Sequence, residues 1–488
     1  MQRTGLILAN RAYLDHETPR SAGSTSSGGN GGLLATLRPV IEPWDGTSGT
    51  TWIGAGLGQF DSEWTDARGF ELIETPRGTL RHRRLFFPGA TWQGHYAEVS
   101  NSFLWPLVHL VRNDLPAATS YYPAPAVPSA DDWEAFVAVN SAFAAAAAEE
   151  TDADWCWVHD YQLALTPGFL RERRFPGKIG FFLHTPFPNV EVARPYLAGS
   201  AGSAFKQVVA GMLGADLLGF QTNGDVERFQ RAALAFCGAE LMEGAVAFEG
   251  HIVRTVCFPV GIDIEDMLEI ANTAPTPPQA ANAKLEGLPL VVGLERADYT
   301  KGIPERLRAI AEASRSGCRF AYLGIAAPTR EGVRAYDALE SAIEAAANEA
   351  RQACMAAGGS FAHVRANVEW EDVVALQRVA DVVFTSSLAD GQNLVPLQAA
   401  IAQSLRPAPE RAVILTGRDA GVASTFDAFS EQGLFAVEPL DHDALTHALI
   451  AALDGRLGRV SDRFVQEVRL NDAFAWSSSF LAALEEEC

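Results

Sequence analysis

The sequence predicts an α/β protein of two domains, each built on a parallel sheet with helices on both faces. Three observations carry that prediction. The chain has 488 residues, more than one hydrophobic core ordinarily serves, so two domains of about 200 to 250 residues with a cleft between them are expected. Its second half alternates short apolar runs with helix-length segments, the pattern of strand and crossover helix in a parallel sheet. Several of the apolar runs also end on polar or charged residues, where open α/β sheets carry their ligand groups.

Composition narrows the class. Apolar residues make up 48% and charged ones 20%, the balance of a soluble globular protein with a large core. A formal net charge of -22 excludes nucleic acid and an anionic membrane as partners, because the long-range field repels both. An anionic small molecule would need cations gathered at strand ends. The six cysteines show no CxxC spacing and read as reduced thiols. The apolar run at Leu6 to Ala9 is too short for a signal peptide, and no stretch of about 18 apolar residues is present to span a bilayer. The cytoplasm is the expected compartment.

Taken in order, Gly5 to Asn10 is the first strand, followed by Arg11. Ser21 to Gly32 is glycine-rich and opens a short helical pattern; it reads either as a phosphate-wrapping loop or as a flexible one. Thr51 to Gly54 is a strand, and Gly54, Gly56 and Gly58 form an incomplete dinucleotide fingerprint, a weak signal. Tyr96 to His109 is amphipathic and aromatic, and Asp131 to Glu149 is an alanine-rich helix. Asp154 to Leu165 gives a strand that delivers His159, Asp160 and Tyr161, and Ile179 to Pro188 a neighbour that delivers His184. Leu217 to Thr222 is a further strand end. Val256 to Ile262 links to the second domain, and a proline-rich loop follows at Thr273 to Gln279. Strands are then expected at Leu290 to Leu294, Phe320 to Ile325, Val364 to Val368, Asp381 to Ser386, Ala412 to Thr416 and Leu434 to Val437, with a final helix at Asn471 to Leu484.

The strongest local signal is Val291 to Leu307, a buried strand, a polar elbow with Arg296 and Lys301, and a helix with Pro304 in its first turn. Lys178, Lys206, Lys284 and Lys301 are the only lysines, so a lysine here is not compositional background. One guanidinium and one ammonium at a strand end suit a departing diphosphate; the same charges on a solvated loop are the plain alternative. Asp381 to Val395 repeats the form, with Asp390-Gly391 and the amides of Gln392 to Val395 as a polyhydroxyl and phosphate nest or as an ordinary helix cap. No metal-ligand spacing appears.

The segments HDYQL, IGFFLHTPFP, LLGFQT, ERADYTKGIPER, APTREGVRAY and DGQNLV, in this order, resemble the trehalose-6-phosphate synthase family of retaining glycosyltransferases, whose relatives include glucosylglycerol-phosphate synthases and cyclitol-coupling pseudoglycosyltransferases. The likeness covers almost the whole chain, with Thr18 to Asn30 and Arg68 to Arg84 matching poorly. It implies a GT-B fold of two Rossmann-like domains facing a cleft: residues 1–258 with the last helix, 472–488, binding acceptor, and residues 259–471 binding the nucleotide sugar. The implied catalytic group is Arg296, Lys301, Asp160, His184 and Asp390. Gly31, Gly32, His184, Arg296, Lys301, Asp390, Gly391, Gln392, Asn393, Leu394, Val395 and Gln398 would meet the donor. Arg11, Tyr96 and Arg330 would hold the acceptor phosphate, in a pocket lined by Trp52, Trp105, Asp160 and Tyr161.

The implied reaction moves glucose from UDP-glucose or GDP-glucose to glucose 6-phosphate with retention, needing no metal and no cofactor. The implied partners are those two small molecules alone, and a homo-oligomer is compatible with the pattern. Gln398 stands where the family has a ribose-gripping glutamate, which removes a charged acceptor at a cost of about 1 kcal/mol. With Gln392, it keeps two other expectations open: a family member acting on a cyclitol phosphate or glycerol 3-phosphate, and a non-catalytic sugar-phosphate sensor.

Overall fold

A computed structural model describes residues 4–20, 26–28, 32–41, 49–75, 78–112, 115, 119–330, 333 and 336–486. The chain divides into two compact units. The first comprises Met1–Leu110, Ala124–Pro259 and Ala473–Cys488, and the second Val111–Pro123 and Val260–Asp472.

In the first unit the strands are β1 (Gly5–Arg11), β2 (Leu14–His16), β3 (Ser26–Gly28), β4 (Thr50–Ala55), β5 (Phe70–Thr75), β6 (Gly78–Leu85), β7 (Trp155–His159), β8 (Lys178–Phe182), β9 (Leu217–Phe220), β10 (Glu240–Met242), β11 (Ala245–Phe248) and β12 (His251–Cys257). Ten of them form one sheet, ordered β10-β11-β12-β9-β8-β7-β1-β4-β6-β5, while β2 and β3 pair separately. From β12 to β6 the pairing is parallel. The chain order reverses between β1 and β7, which makes that crevice the switch point of the sheet. β1 and β7 are buried along their apolar lengths, as continuous apolar runs in a two-sided sheet require. The closing helix Ala473–Glu485 belongs to this unit and stacks Phe480 on Trp157, ring centroids 4.2 Å apart.

The second unit holds β13 (Leu290–Arg296), β14 (Ala321–Ala327), β15 (Ser360–Val364), β16 (Val382–Phe384), β17 (Val413–Gly417) and β18 (Leu434–Val437). All are parallel, in the order β15-β14-β13-β16-β17-β18. That is the doubly wound dinucleotide-binding order, with its switch point between β13 and β16. Among the residues packed over the sheet are Leu290, Val292, Leu294, Val383, Ile401 and Ile414.

Some expectations are corrected. The strand expected at Val364 to Val368 lies at Ser360–Val364. It is an edge strand bonded only to β14 and exposed or half-exposed throughout, so no apolar run marks it. The proline-rich loop is shorter than expected, because Pro278 opens a helix running to Leu285, a position proline suits. The β5–β6 and β10–β12 strands carry mixed charges and were not read. Val111–Pro123 also falls in the second unit, where Arg112 donates to Asp419 (2.9 Å) and Glu438 (2.6 Å) and Tyr122 meets Tyr299 edge-on at 5.0 Å. It has no periodicity to announce this; the contacts are ionic and aromatic.

Candidate active site

In the second unit, β13 ends in Glu295 and Arg296, and a short turn, Tyr299–Lys301, leads into the helix Ile303–Arg315. Asp298 starts the turn: its Oδ1 accepts from the Thr300 amide and hydroxyl, both at 3.0 Å. Gly302 follows at φ +59°, where a Cβ would lie 2.1 Å from the Ser386 carbonyl oxygen. Only glycine fits there. Lys301 Nζ donates to Asp390 Oδ2, so an elbow after β13 is joined to the turn after β16 across the switch point. Asp390 also accepts from Ser387 Oγ (3.1 Å) and from the Gly391 amide (3.0 Å). Arg296 is exposed at the strand end.

Beneath the elbow, Arg306 donates to Glu295, and both side chains are buried. Arg306 Nε also meets the Tyr322 hydroxyl at 3.3 Å. Burial pushes the Glu295 carboxyl up, against the pull of Arg306. Ser386 Oγ donates to the Lys301 and Gly302 carbonyls at 3.1 and 2.8 Å, which fixes the elbow to the neighbouring loop.

Arg330, in the second unit, donates to Asp298 and to the Tyr336 hydroxyl (2.8 Å). Tyr336 in turn donates to Asp298 at 2.9 Å. Burial opposes the charge on Asp298, but Arg330 and Arg296 hold its carboxyl well below the usual range.

In the turn after Asp390, Asn393 has φ +60°, and its Oδ1 accepts from the Val395 amide at 3.3 Å. Asn393 Nδ2 donates to Ser387 Oγ at 3.1 Å. Leu394 and Val395 pack against the core. Gln392 is buried, and the Gly391 and Gln392 carbonyls accept from Gly421 and Val422 at 2.8 Å. Gln398 Oε1 faces Gln377 Nε2 at 3.3 Å.

In the first unit, Arg11 at the end of β1 and Asp160 just after β7 flank the switch point. The Arg11 guanidinium stands 5.4 Å from the centre of the Tyr96 ring, within cation–π range. Tyr96 stacks on Trp92 at 5.6 Å and lies in a wide-turn helix, Gly94–Leu104. Preceding residues repeat the link, His95 Nε2 and Asn10 Oδ1 being 2.8 Å apart. Trp52 is buried, and its indole N–H donates to the Arg11 carbonyl at 3.0 Å. Trp105 and Tyr161 are buried against each other, centroids 5.7 Å apart.

Asp160 has φ +71°, a backbone strain that usually marks a functional position. Its Oδ1 accepts from the His184 amide at 3.3 Å. His184 Nε2 and His159 Nδ1 are 3.1 Å apart, and burial pushes His184 down to about 3 and His159 well below its ordinary value. Both rings are neutral. Gly32 opens the helix Gly32–Ile41, and Gly31 lies outside the described residues.

Sequence reasoning missed Asp298, Ser387, Glu295 and Arg306. The Asp-x-Thr spacing of Asp298 and Thr300 was a readable turn signal; the buried ion pair had none. Among the described residues no three His, Cys, Asp or Glu side chains converge to hold a metal ion, and no helix is long and apolar enough to cross a membrane.

A family model described as Glycosyltransferase family 20 matches residues 5–486. The trehalose-6-phosphate synthase of Mycolicibacterium gilvum is 30% identical over 507 residues, covering 98% of this chain and 93% of that one. The alpha,alpha-trehalose-phosphate synthase (UDP-forming) of Emericella nidulans is 27% identical over 509 residues, covering 98% and 91%. Among solved structures, the alpha,alpha-trehalose-phosphate synthase (UDP-forming) from Burkholderia xenovorans in complex with glucose-6-phosphate aligns with a TM-score of 0.79 at 25% identity, covering 99% of this chain and 100% of that one.

Proposed function

The chain belongs to glycosyltransferase family 20, and from that premise we propose that it transfers glucose from UDP-glucose to glucose 6-phosphate, forming α,α-trehalose 6-phosphate with retention. The observation that carries this is the Lys301–Asp390 link across the switch point of the second unit, with Arg296 exposed beside it. A switch point in a sheet of this order is where a nucleotide ligand sits. UDP is the favoured leaving group because the relatives named UDP-forming align over nearly the whole chain.

On this reading the second unit binds the donor and the first the acceptor. Arg296 and Lys301 take up charge as the bond from glucose C1 to the diphosphate oxygen breaks. The acceptor oxygen bonds to C1 on the same face, and its proton passes to an oxygen of the departing diphosphate. Asp390 and Asn393 hold donor hydroxyls, neutral His184 lies over the donor sugar, and Gln398 meets the ribose. Arg11 and Tyr96 grip the acceptor phosphate, and Arg330 is assigned to the same group. Because both substrates are charged and do not cross a bilayer, the reaction belongs in the cytoplasm.

The test is nucleoside diphosphate release from UDP-, GDP- and ADP-glucose, each with and without glucose 6-phosphate. Acceptor-dependent release with a non-reducing disaccharide phosphate as product is expected. Glucose 6-phosphate binding with no release from any donor would shift the assignment to a cyclitol-coupling or sensor role.

A further inference from the structure

The Gly54-x-Gly56-x-Gly58 motif, which is no dinucleotide fingerprint, has a different use in the first unit. Arg84, near the end of β6, lies opposite Gly54 of β4, and its side chain is wholly buried. Its guanidinium reaches across the glycines to the segment that follows Arg11: Nη2 donates to the Leu14 carbonyl at 2.8 Å, Nη1 donates to Glu71 at 2.7 Å and lies 2.9 Å from His82 Nδ1. Nε lies 3.3 Å from Asp61, which is also buried.

Those partners hold the same segment. Asp61 accepts from the His16 and Gly58 amides at 2.8 and 2.9 Å, Glu71 lies 2.8 Å from His16 Nε2, and the Tyr13 amide meets His82 Nε2 at 3.2 Å. The glycines make the approach sterically open. A Cβ on Gly54 would stand 2.3 Å from the Arg11 carbonyl oxygen, one on Gly56 would stand 3.3 Å from Arg84 Cδ, and one on Gly58 would stand 2.6 Å from both Asp61 Oδ1 and the His16 nitrogen. Tyr13, Leu14 and His16, just after Arg11, are thus bonded to one charged core, and Leu14 and His16 are themselves buried.

We propose that Arg84 is a positioning residue for the acceptor phosphate, acting through Asp61, Glu71 and the glycine strip to hold Arg11 against Tyr96. The proposal rests on the acceptor reading given above. It predicts that disturbing the network raises the KM for phosphorylated acceptor and leaves the donor alone, because every group in it belongs to the first unit.

The experiment is steady-state kinetics of Gly58→Ala, Glu71→Gln and Arg84→Lys in the full chain, with Gly89→Ala, whose Cβ meets nothing within 4 Å, as control. KM for glucose 6-phosphate should rise at least about tenfold, KM for UDP-glucose should stay within about twofold, and the preference for glucose 6-phosphate over glucose should fall. A folded Gly58→Ala or Glu71→Gln protein with unchanged glucose 6-phosphate KM, or with both KM values raised equally, would overturn the proposal. If Arg84→Lys does not fold, those two variants still decide. Absence of acceptor-dependent release in the unsubstituted protein would instead overturn the functional reading itself, and the proposal with it.

Discussion

Lys301 and Asp390 are 89 residues apart in the chain and are joined side chain to side chain. They sit at the ends of β13 and β16, which are neighbours in the sheet. An arriving diphosphate would therefore meet a lysine already oriented by a carboxylate that is itself held by Ser387 and the Gly391 amide. Preorganisation of this kind lowers the reorganisation needed when charge develops on the leaving group.

Arg296 is exposed beside that pair and is assigned to the same charge. Arg296→Ala should lower kcat by roughly 100-fold or more, with the Kd for glucose 6-phosphate little changed. Pre-steady-state turnover and calorimetry on one preparation check this. Equal losses in both quantities would remove Arg296 from the leaving group.

Gln398→Glu should tighten donor binding. A carboxylate keeps the acceptor that faces Gln377 Nε2 and restores a charged acceptor for ribose hydroxyls, a gain of about 1 kcal/mol or roughly fivefold in Kd. UDP titration of the two proteins reads it directly; an unchanged Kd would place Gln398 away from the nucleotide.

Asp298 is fully buried, and its charge depends on Arg330. Arg330→Ala should cost about 3 kcal/mol of stability, since it leaves a buried carboxylate short of its main partner. Adding Asp298→Asn should recover part of that loss. Urea unfolding of the two single variants and the double variant gives the coupling energy, and strict additivity would contradict the pairing. Acceptor affinity measured on the same proteins should fall for glucose 6-phosphate far more than for glucose.

Acid should destabilise the protein well above the carboxylate range. Burial holds His82, His95, His159 and His184 below the ordinary value of 6.5, with Arg84 adding to the effect on His82 and His184 to that on His159. They stay neutral in the native state while the unfolded chain protonates. Their contribution is complete above pH 6.5 and declines below it until His95 and His184 protonate in place at about 3. At pH 5 each should cost roughly 2 kcal/mol relative to neutral pH. Half-buried Asp15 and Asp419 and the buried Glu295 side chain are shifted upward, chiefly by burial, and act in the opposite sense, nearer the carboxylate range. A urea midpoint that rises or holds between pH 7 and pH 5 would sink the prediction.

Much of the candidate site was readable because the proposed residues lie at the ends of apolar runs. Arg11, Asp160, His184, Arg296 and Asp390 each stand at or shortly after the carboxyl end of a strand, and a continuous apolar run followed by a polar residue is visible in one dimension. Asp298 and the Glu295–Arg306 pair were missed because a buried charge looks like any other charge until its partner is known. The edge strand β15 was misplaced, and the hairpin strands β5 and β6 missed, for a related reason. Their faces are wet or ion-paired, so periodicity fades.

The sequence by itself determined the parallel α/β class, the two-part organisation, and the cations and carboxylates that chemistry on a sugar diphosphate would need. These follow from short-range pattern: apolar runs, turn residues and their order along the chain. Only the tertiary structure decided which charges meet. It brought Lys301 to Asp390 and Arg330 to Asp298, and turned three glycines from a weak nucleotide signal into the clearance that lets Arg84 reach the segment after Arg11. Pairing across a sheet depends on strand order and close packing, and both are set by contacts between residues far apart in the chain.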